Sequence, residues 1–202
     1  MEKSETNIIL IDDDKKFNED ALGDEIKERY RSFEIFADPN TAIDYIKNNI
    51  KKRIIILLDL RFSSDLPNGT EILEKIRNIS KIIPVIIFSA TPKSDIDSVK
   101  LINNNAFFYL DKDAKNKEIL KVLHNADIML QNSLPSAIKE WLESRRDDGS
   151  NNYIYTLSGK KFSLKDVLNE ILSNSEIGQF FEKNINKLSI DLLSRSKEKI
   201  DD

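Results

Sequence analysis

Five side chains of this sequence are of the kinds that together could handle a phosphoryl group: Asp12, Asp13, Asp59, Ser89 and Lys112. All five stand at the end of a short apolar run. Asp12-Asp13-Asp14 follows Asn7–Ile11, Asp59 falls within Ile54–Leu60, Ser89-Ala90-Thr91 follows Pro84–Phe88, and Asp111-Lys112-Asp113 follows Ala106–Leu110, which contains Tyr109. Three carboxylates converging on one edge need a compensating cation to stay ionised. A hard divalent ion with oxygen ligands, Mg2+ above all, is the expected companion. A lysine and a hydroxyl beside it are groups that stabilise phosphoryl oxygens. An aspartate held there can attack phosphorus and become an acyl phosphate.

The elements that must position these groups alternate between two periods. Besides the four runs above, Phe33–Phe36 has strand length and composition. Between the runs, apolar residues recur at helical spacing: Phe17, Ala21 and Ile26; Ala42, Ile43 and Ile46; Ile72, Leu73 and Ile76; Ile96, Val99 and Ile102; Ile119, Leu120, Leu123 and Ala126. Five strands alternating with five helices predict an α/β fold, a doubly wound parallel sheet covered on both faces. In such sheets ligands sit at the carboxyl ends of the strands, where these five groups fall.

In their order and spacing these motifs resemble the response-regulator receiver family over residues 7–130, with its flavodoxin-like fold. The resemblance implies that Asp59 is the phosphoacceptor and that Asp13 binds Mg2+ directly, with Asp12 helping through water. It implies that Ser89 and Lys112 bind the phosphoryl group, and that Tyr109 is an aromatic switch coupled to Ser89. It assigns the metal-binding backbone carbonyl to Arg61. It further implies a sensor histidine kinase or phosphotransfer protein as donor, a downstream protein partner, a phosphorylation-dependent homodimer, and no enzymatic activity beyond the chain's own phosphorylation and dephosphorylation. Two features depart from the family pattern. The glycine that usually stands eight residues after the acceptor is Gly69, ten after Asp59, so the loop is two residues longer. Lys112 is followed by Asp113 where many members carry proline.

Plainer readings exist for several of these residues. Asp14 is better explained as a helix cap than as a ligand. Ser89 could bond its own backbone, Lys112 could be a surface lysine, and Tyr109 could simply pack. A rival enzyme reading, a phosphatase of the haloacid dehalogenase type, would use Asp12-Asp13-Asp14 as its Asp-x-Asp motif. Lys16 stands where that motif wants Thr or Val, no cap domain follows, and Asp59 would have no role. His124, the single histidine, has no second histidine or cysteine with which to bind metal.

After Gln131 the alternation stops, which divides the chain into a receiver-like part, 1–131, and a small, mostly helical module, 132–202. Asn132 to Ser136 reads as a break, followed by a helix over about 137–146 with Ile138, Trp141 and Leu142 on its core face. A loop at 147–152, a short strand at Tyr153–Leu157 and a solvated Lys160-Lys161 turn come next. Ser163 with Asp166 opens a helix through Leu172, and two short helices, near Glu176–Phe181 and Ile190–Lys199, end the chain. The stretch Ser189-Ile190-Asp191-Leu192-Leu193 is apolar and acidic where a groove-reading helix wants Arg, Lys, Asn or Gln. A protein-interaction module is therefore expected, with a divergent DNA-binding tail as the alternative.

Composition agrees with a globular protein: 40% hydrophobic, 33% charged, net charge −4. Neither part has the basic excess that phosphate-backbone binding brings. The absence of cysteine excludes disulfides and thiolate chemistry. No apolar run is long enough to span a bilayer, and a cytoplasmic location is expected.

Overall fold

The computed structural model describes residues 3–14, 21–63, 66–90, 98–155 and 159–195. Five strands form its main sheet: β1 (Ser4–Ile11), β2 (Tyr30–Phe36), β3 (Ile54–Leu58), β4 (Val85–Ser89) and β5 (Phe108–Asp111). Their order is β2-β1-β3-β4-β5, with every neighbouring pair parallel. The helices α1 (Ala21–Arg29), α2 (Pro39–Asn48), α3 (Gly69–Ile79), α4 (Ser98–Asn103) and α5 (Asn116–Gln131) connect or follow them. This is the doubly wound parallel sheet expected from the alternating pattern, in the flavodoxin-like arrangement that the receiver resemblance implied.

Strand alternation sorts the apolar side chains onto two faces. Ile8, Leu10, Ile55, Leu57, Ile86 and Phe88 pack with Leu22 and Ile26 of α1 and Ile119, Leu123 and Ala126 of α5. Ile9, Ile11, Ile54, Ile56, Leu58, Val85 and Ile87 pack with Ala42 and Ile46 of α2 and Ile72, Leu73 and Ile76 of α3. Every residue of β3 and β4 is buried, as their unbroken Ile/Leu/Val composition predicts.

The strand ends differ in places from the sequence reading. β3 stops at Leu58, so Asp59 and Leu60 lie just beyond it. The cause is local: the Asp59 amide still donates to Ile11 O (3.0 Å), but the Asp59 carboxylate draws in the amides of Leu60 and Arg61, turning the chain out of the ladder. β1 and β2 each begin three residues earlier than predicted, and β5 begins two later. Phe17, Ile96 and Thr91 lie outside the described residues, as does the start of the helix that Asp14 was expected to cap.

A buried arginine closes the end of the sheet away from the acidic cluster. Arg77, near the C-terminus of α3, donates to the carbonyls of Asn104, Ser80, Ile83 and Asn105 at 2.8–3.3 Å. Burial pushes its pKa down to about 10, so it remains charged at neutral pH.

The chain divides into two compact units, Met1–Asn132 and Ser133–Asp202. The second contains α6 (Leu134–Ser144), an antiparallel hairpin of β6 (Tyr153–Tyr155) and β7 (Lys161–Ser163), α7 (Leu164–Leu172) and α8 (Glu176–Arg195). Leu134-Pro135 is no break: Ser133 is the N-cap and the proline sits in the first helical turn, where its missing N–H costs nothing. Ser163 and Asp166 form the expected capping box of α7. The second strand of the hairpin was not expected. The two terminal helices are one 20-residue helix, because no Gly or Pro interrupts the polar stretch between them. Gly178 lets α8 lie directly on α7, since a Cβ there would come within 2.1 Å of Glu170 O.

The small core consists of Val167, Ile171 and Phe181, with Leu134, Ile138, Ile154, Phe162 and Ile185 against it. Leu142 is buried, but Trp141 leaves the expected core stripe. It is 41% exposed, with the Arg145 guanidinium 4.6 Å from its ring centroid. No described helix is long and apolar enough to cross a membrane.

Candidate functional site

β1 is flanked by β2 on one side and β3 on the other, so the strand order reverses between β1 and β3. A crevice at the carboxyl ends of these two strands is the expected ligand position in an open parallel sheet. Asp12 follows β1 and Asp59 follows β3, and the parallel register that pairs Ile11 with Leu58 brings them side by side. Both are buried, at 1% and 6% exposure, while Asp13 is half-buried. One carboxylate oxygen from each of Asp12, Asp13 and Asp59 lies within 4.8 Å of the others.

Lys112, just after β5, reaches across to both buried acids. Its Nζ lies 2.7 Å from Asp59 Oδ2 and 2.7 Å from Asp12 Oδ2. Burial works against the ammonium, but hydrogen bonds and charge from Asp12 and Asp59 together outweigh it and hold the Lys112 pKa above its usual value. At Asp12 the balance goes the other way. Desolvation raises its pKa despite the Lys112 hydrogen bond and the Asp14 amide, which donates to Oδ1 at 2.9 Å.

The remaining groups organise Asp59. Ser89, the last residue of β4, donates its hydroxyl to Asp59 Oδ1 at 2.6 Å. The Leu60 amide donates to the same oxygen at 2.6 Å and the Arg61 amide at 3.3 Å. Arg61 therefore meets the site through its N–H, and the carbonyl assigned to it by resemblance belongs to the same short turn. Tyr109 donates its hydroxyl to the backbone carbonyl of Ser89 (3.1 Å), and its half-buried ring packs on the α2/α3 face of the sheet. Desolvation, with the charges of Asp111 and Asp59, raises its phenol pKa. All seven residues singled out from the sequence thus gather in one place. His124 is exposed on α5, and Lys161 sits over the Tyr153 ring at 3.4 Å in the second unit.

Gly69 fixes the far end of the lengthened loop. Its amide donates to Leu60 O at 3.0 Å, and a Cβ on it would stand 2.2 Å from Asp59 O and 2.5 Å from Leu60 Cα. Only glycine allows α3 to start so close to the acceptor residue. Backbone donors escaped the sequence reading, the amides of Asp14, Leu60, Arg61 and Ser63; the last donates to Asp13 Oδ2 at 2.9 Å. No residue type signals a main-chain donor.

A divalent cation suits this donor set. It is three hard oxygen donors with one ammonium between two of them, and Asp12 Oδ2 is closed off from solvent with the Lys112 ammonium 2.7 Å away. Asp12, Asp13 and Asp59 would hold the ion, and the ammonium and the Ser89 hydroxyl remain to meet phosphoryl oxygens.

Comparison with known proteins supplies the family. The family model of the response regulator receiver domain matches residues 8–124. A CheY-like response regulator receiver domain protein from Methanospirillum hungatei is 24% identical, covering 64% of this chain and 100% of its own, with a TM-score of 0.51. The N-terminal domain of a response regulator/sensory box/GGDEF protein from Carboxydothermus hydrogenoformans is 18% identical, covering 62% of this chain and 96% of its own, with a TM-score of 0.53. CheY from Borrelia burgdorferi, solved with CheX, beryllofluoride and Mg2+, is 22% identical, covering 59% of this chain and 87% of that one, with a TM-score of 0.52. At these identities the structures speak for the fold alone. No curated protein matches the chain. The family match spans more than half of the sequence and falls on the strands that carry the acidic crevice, and from it we conclude that this chain belongs to the response regulator receiver domain family.

Proposed function

We propose that the chain is a phosphorylation switch of a two-component pathway, with Asp59 as the acceptor. The observation that carries this reading is the bridging of Asp12 and Asp59 by one lysine, 2.7 Å from each, beside a hydroxyl on the same Asp59 carboxylate. An Asp59 oxygen attacks the phosphorus of a histidine-kinase, phosphotransfer-protein or small-molecule phosphodonor. The donor's bond to phosphorus breaks as the acyl phosphate forms. Lys112 then exchanges its bond with the free carboxylate for one with a phosphoryl oxygen, and Ser89 does likewise. Mg2+ held by Asp12, Asp13 and Asp59 would neutralise charge on the phosphoryl group and offset repulsion among the carboxylates. The chain is a switch rather than an enzyme acting on other molecules, and we place it in the cytoplasm.

The output reading is protein–protein contact. α8 carries Phe181, Ile185, Leu188 and Leu192 at helical spacing, yet only the first two meet the small core; Leu188 and Leu192 are each 61% exposed. An apolar stripe longer than the core beneath it suits a protein partner better than nucleic acid. Phosphorylation would act through Ser89 and the Tyr109 hydroxyl bonded to its carbonyl.

Incubation with acetyl phosphate and Mg2+, followed by intact-mass measurement, tests the acceptor. One acid-stable, alkali-labile phosphoryl group should appear on the wild type and be absent from Asp59→Asn. Equal labelling of the mutant would move the acceptor elsewhere. Trp141, the only tryptophan, reports on the second unit. Its emission should change with beryllofluoride and Mg2+ in the wild type and not in Asp59→Asn. Unmoved emission together with unmoved hydrogen exchange across 133–195 would confine the switch to the receiver.

A further inference from the structure

The loop between β3 and α3 does more than connect. It leaves the sheet at Asp59, returns when Gly69 N–H bonds Leu60 O at 3.0 Å, and is tied midway by Leu66 N–H to Ser63 O at 2.9 Å. Between these ties, the Ser63 amide donates to Asp13 Oδ2 at 2.9 Å, joining this loop to the residues that follow β1. Among the three clustered acids Asp13 is the one least enclosed by protein, and it has two negative neighbours. Without a restraint, like-charge repulsion favours rotamers that carry its carboxylate away from Asp12 and Asp59 into water.

We propose that the Ser63 backbone amide is a positioning group for the metal site, holding Asp13 by one oxygen so that the other is presented to the cation. The donor is a main-chain N–H, so it neither titrates nor competes as a ligand, and its hydrogen bond to a carboxylate is charge-assisted. Partners that fix the orientation of metal-ligating side chains commonly contribute about 10–100-fold in metal affinity. This inference rests on the metal reading of the site.

The test replaces the donor and leaves the ligands alone. Ser63→Pro removes the N–H, whereas Ser63→Ala keeps it and removes only the hydroxyl. Mg2+ affinity of the full chain is measured by calorimetry in the absence of phosphodonor. Ser63→Pro should bind Mg2+ roughly 10-fold more weakly than the wild type, and Ser63→Ala within about 2-fold of it. An Ala variant as weak as the Pro variant would overturn the assignment to the amide. So would a Pro variant that binds as well as, or better than, the wild type. Should Ser63→Pro fail to fold, amide NMR of the wild type decides. The Ser63 N–H should stay protected from exchange when Mg2+ is added, and its release on binding would show competition rather than positioning. A wild type that binds no Mg2+ would defeat the metal reading itself, an outcome distinct from these.

Discussion

Lys112→Met should unfold the metal-free receiver far more easily at neutral pH, and the loss should be repaired by Mg2+ or by acid. The ammonium is the cation that the structure shows between two buried carboxylates, at 2.7 Å from each. At that separation each pair has an attraction of about 6 kcal/mol at an effective dielectric near 20. Much of this is offset by the cost of desolvating the three groups. Removing one partner of a buried ion pair typically destabilises by about 3–5 kcal/mol, because the other charge stays buried and uncompensated. The Lys112 side chain keeps 17% of its surface in water, which places the expectation near the lower figure.

The pH dependence has a definite sign. The folded-state pKa of Lys112 is raised, so its stabilising contribution is complete below the ordinary lysine value of 10.5 and is lost as pH climbs through the folded value. Lys112→Met should lack that alkaline loss. The pKa of Asp12 is raised by burial, so its ionisation opposes folding as pH rises above the ordinary value of 3.8. Without the lysine this opposition strengthens, and the mutant's deficit should shrink toward acid, where protonation of the Asp12 carboxylate removes the buried charge. Urea melts followed by circular dichroism in EDTA, in saturating Mg2+ and at mildly acidic pH measure all three effects. A deficit of the same size in every condition would refute the electrostatic account and leave lost packing as the cause.

Other substitutions probe separate parts of the frame. Gly69→Ala forces a Cβ to within 2.2 Å of Asp59 O and should cost about 1–3 kcal/mol while weakening beryllofluoride binding; a melting midpoint equal to the wild type would deny the close approach. Arg77→Met strands four carbonyl acceptors and should cost more than about 3 kcal/mol in urea titrations, leaving Mg2+ affinity in any folded fraction unchanged. Asp13→Asn should abolish Mg2+ binding yet stabilise the EDTA-treated protein by roughly 0.5–1 kcal/mol, since it relieves repulsion while retaining an acceptor for Ser63 N–H. A mutant less stable than the wild type in EDTA would contradict this.

The sheet and its site were legible because their signals are local. Unbroken runs such as Ile54–Leu58 and Val85–Phe88 have few ways to bury themselves other than as central parallel strands, and each is followed directly by a residue that carries chemistry. Topology then does the gathering: once β1 and β3 are neighbours, Asp12 and Asp59 must meet. The second unit was harder to read, since Trp141 and Leu188 lie at helical spacing with core residues yet remain exposed. Periodicity tells which side chains share a face of a helix, whereas the area packed against that face is set by elements distant in sequence.

By itself, then, the sequence determined the receiver fold, its strand-end acids and the lysine and serine beside them, because residue type and strand position are properties of short segments. Only the tertiary structure decided which oxygen each donor meets, that Arg77 closes four carbonyls, and that Ser63 reaches Asp13 from fifty residues away. These are main-chain and long-range contacts. A backbone N–H is the same in nearly every residue, so its partner is written in the path of the chain and in no side chain.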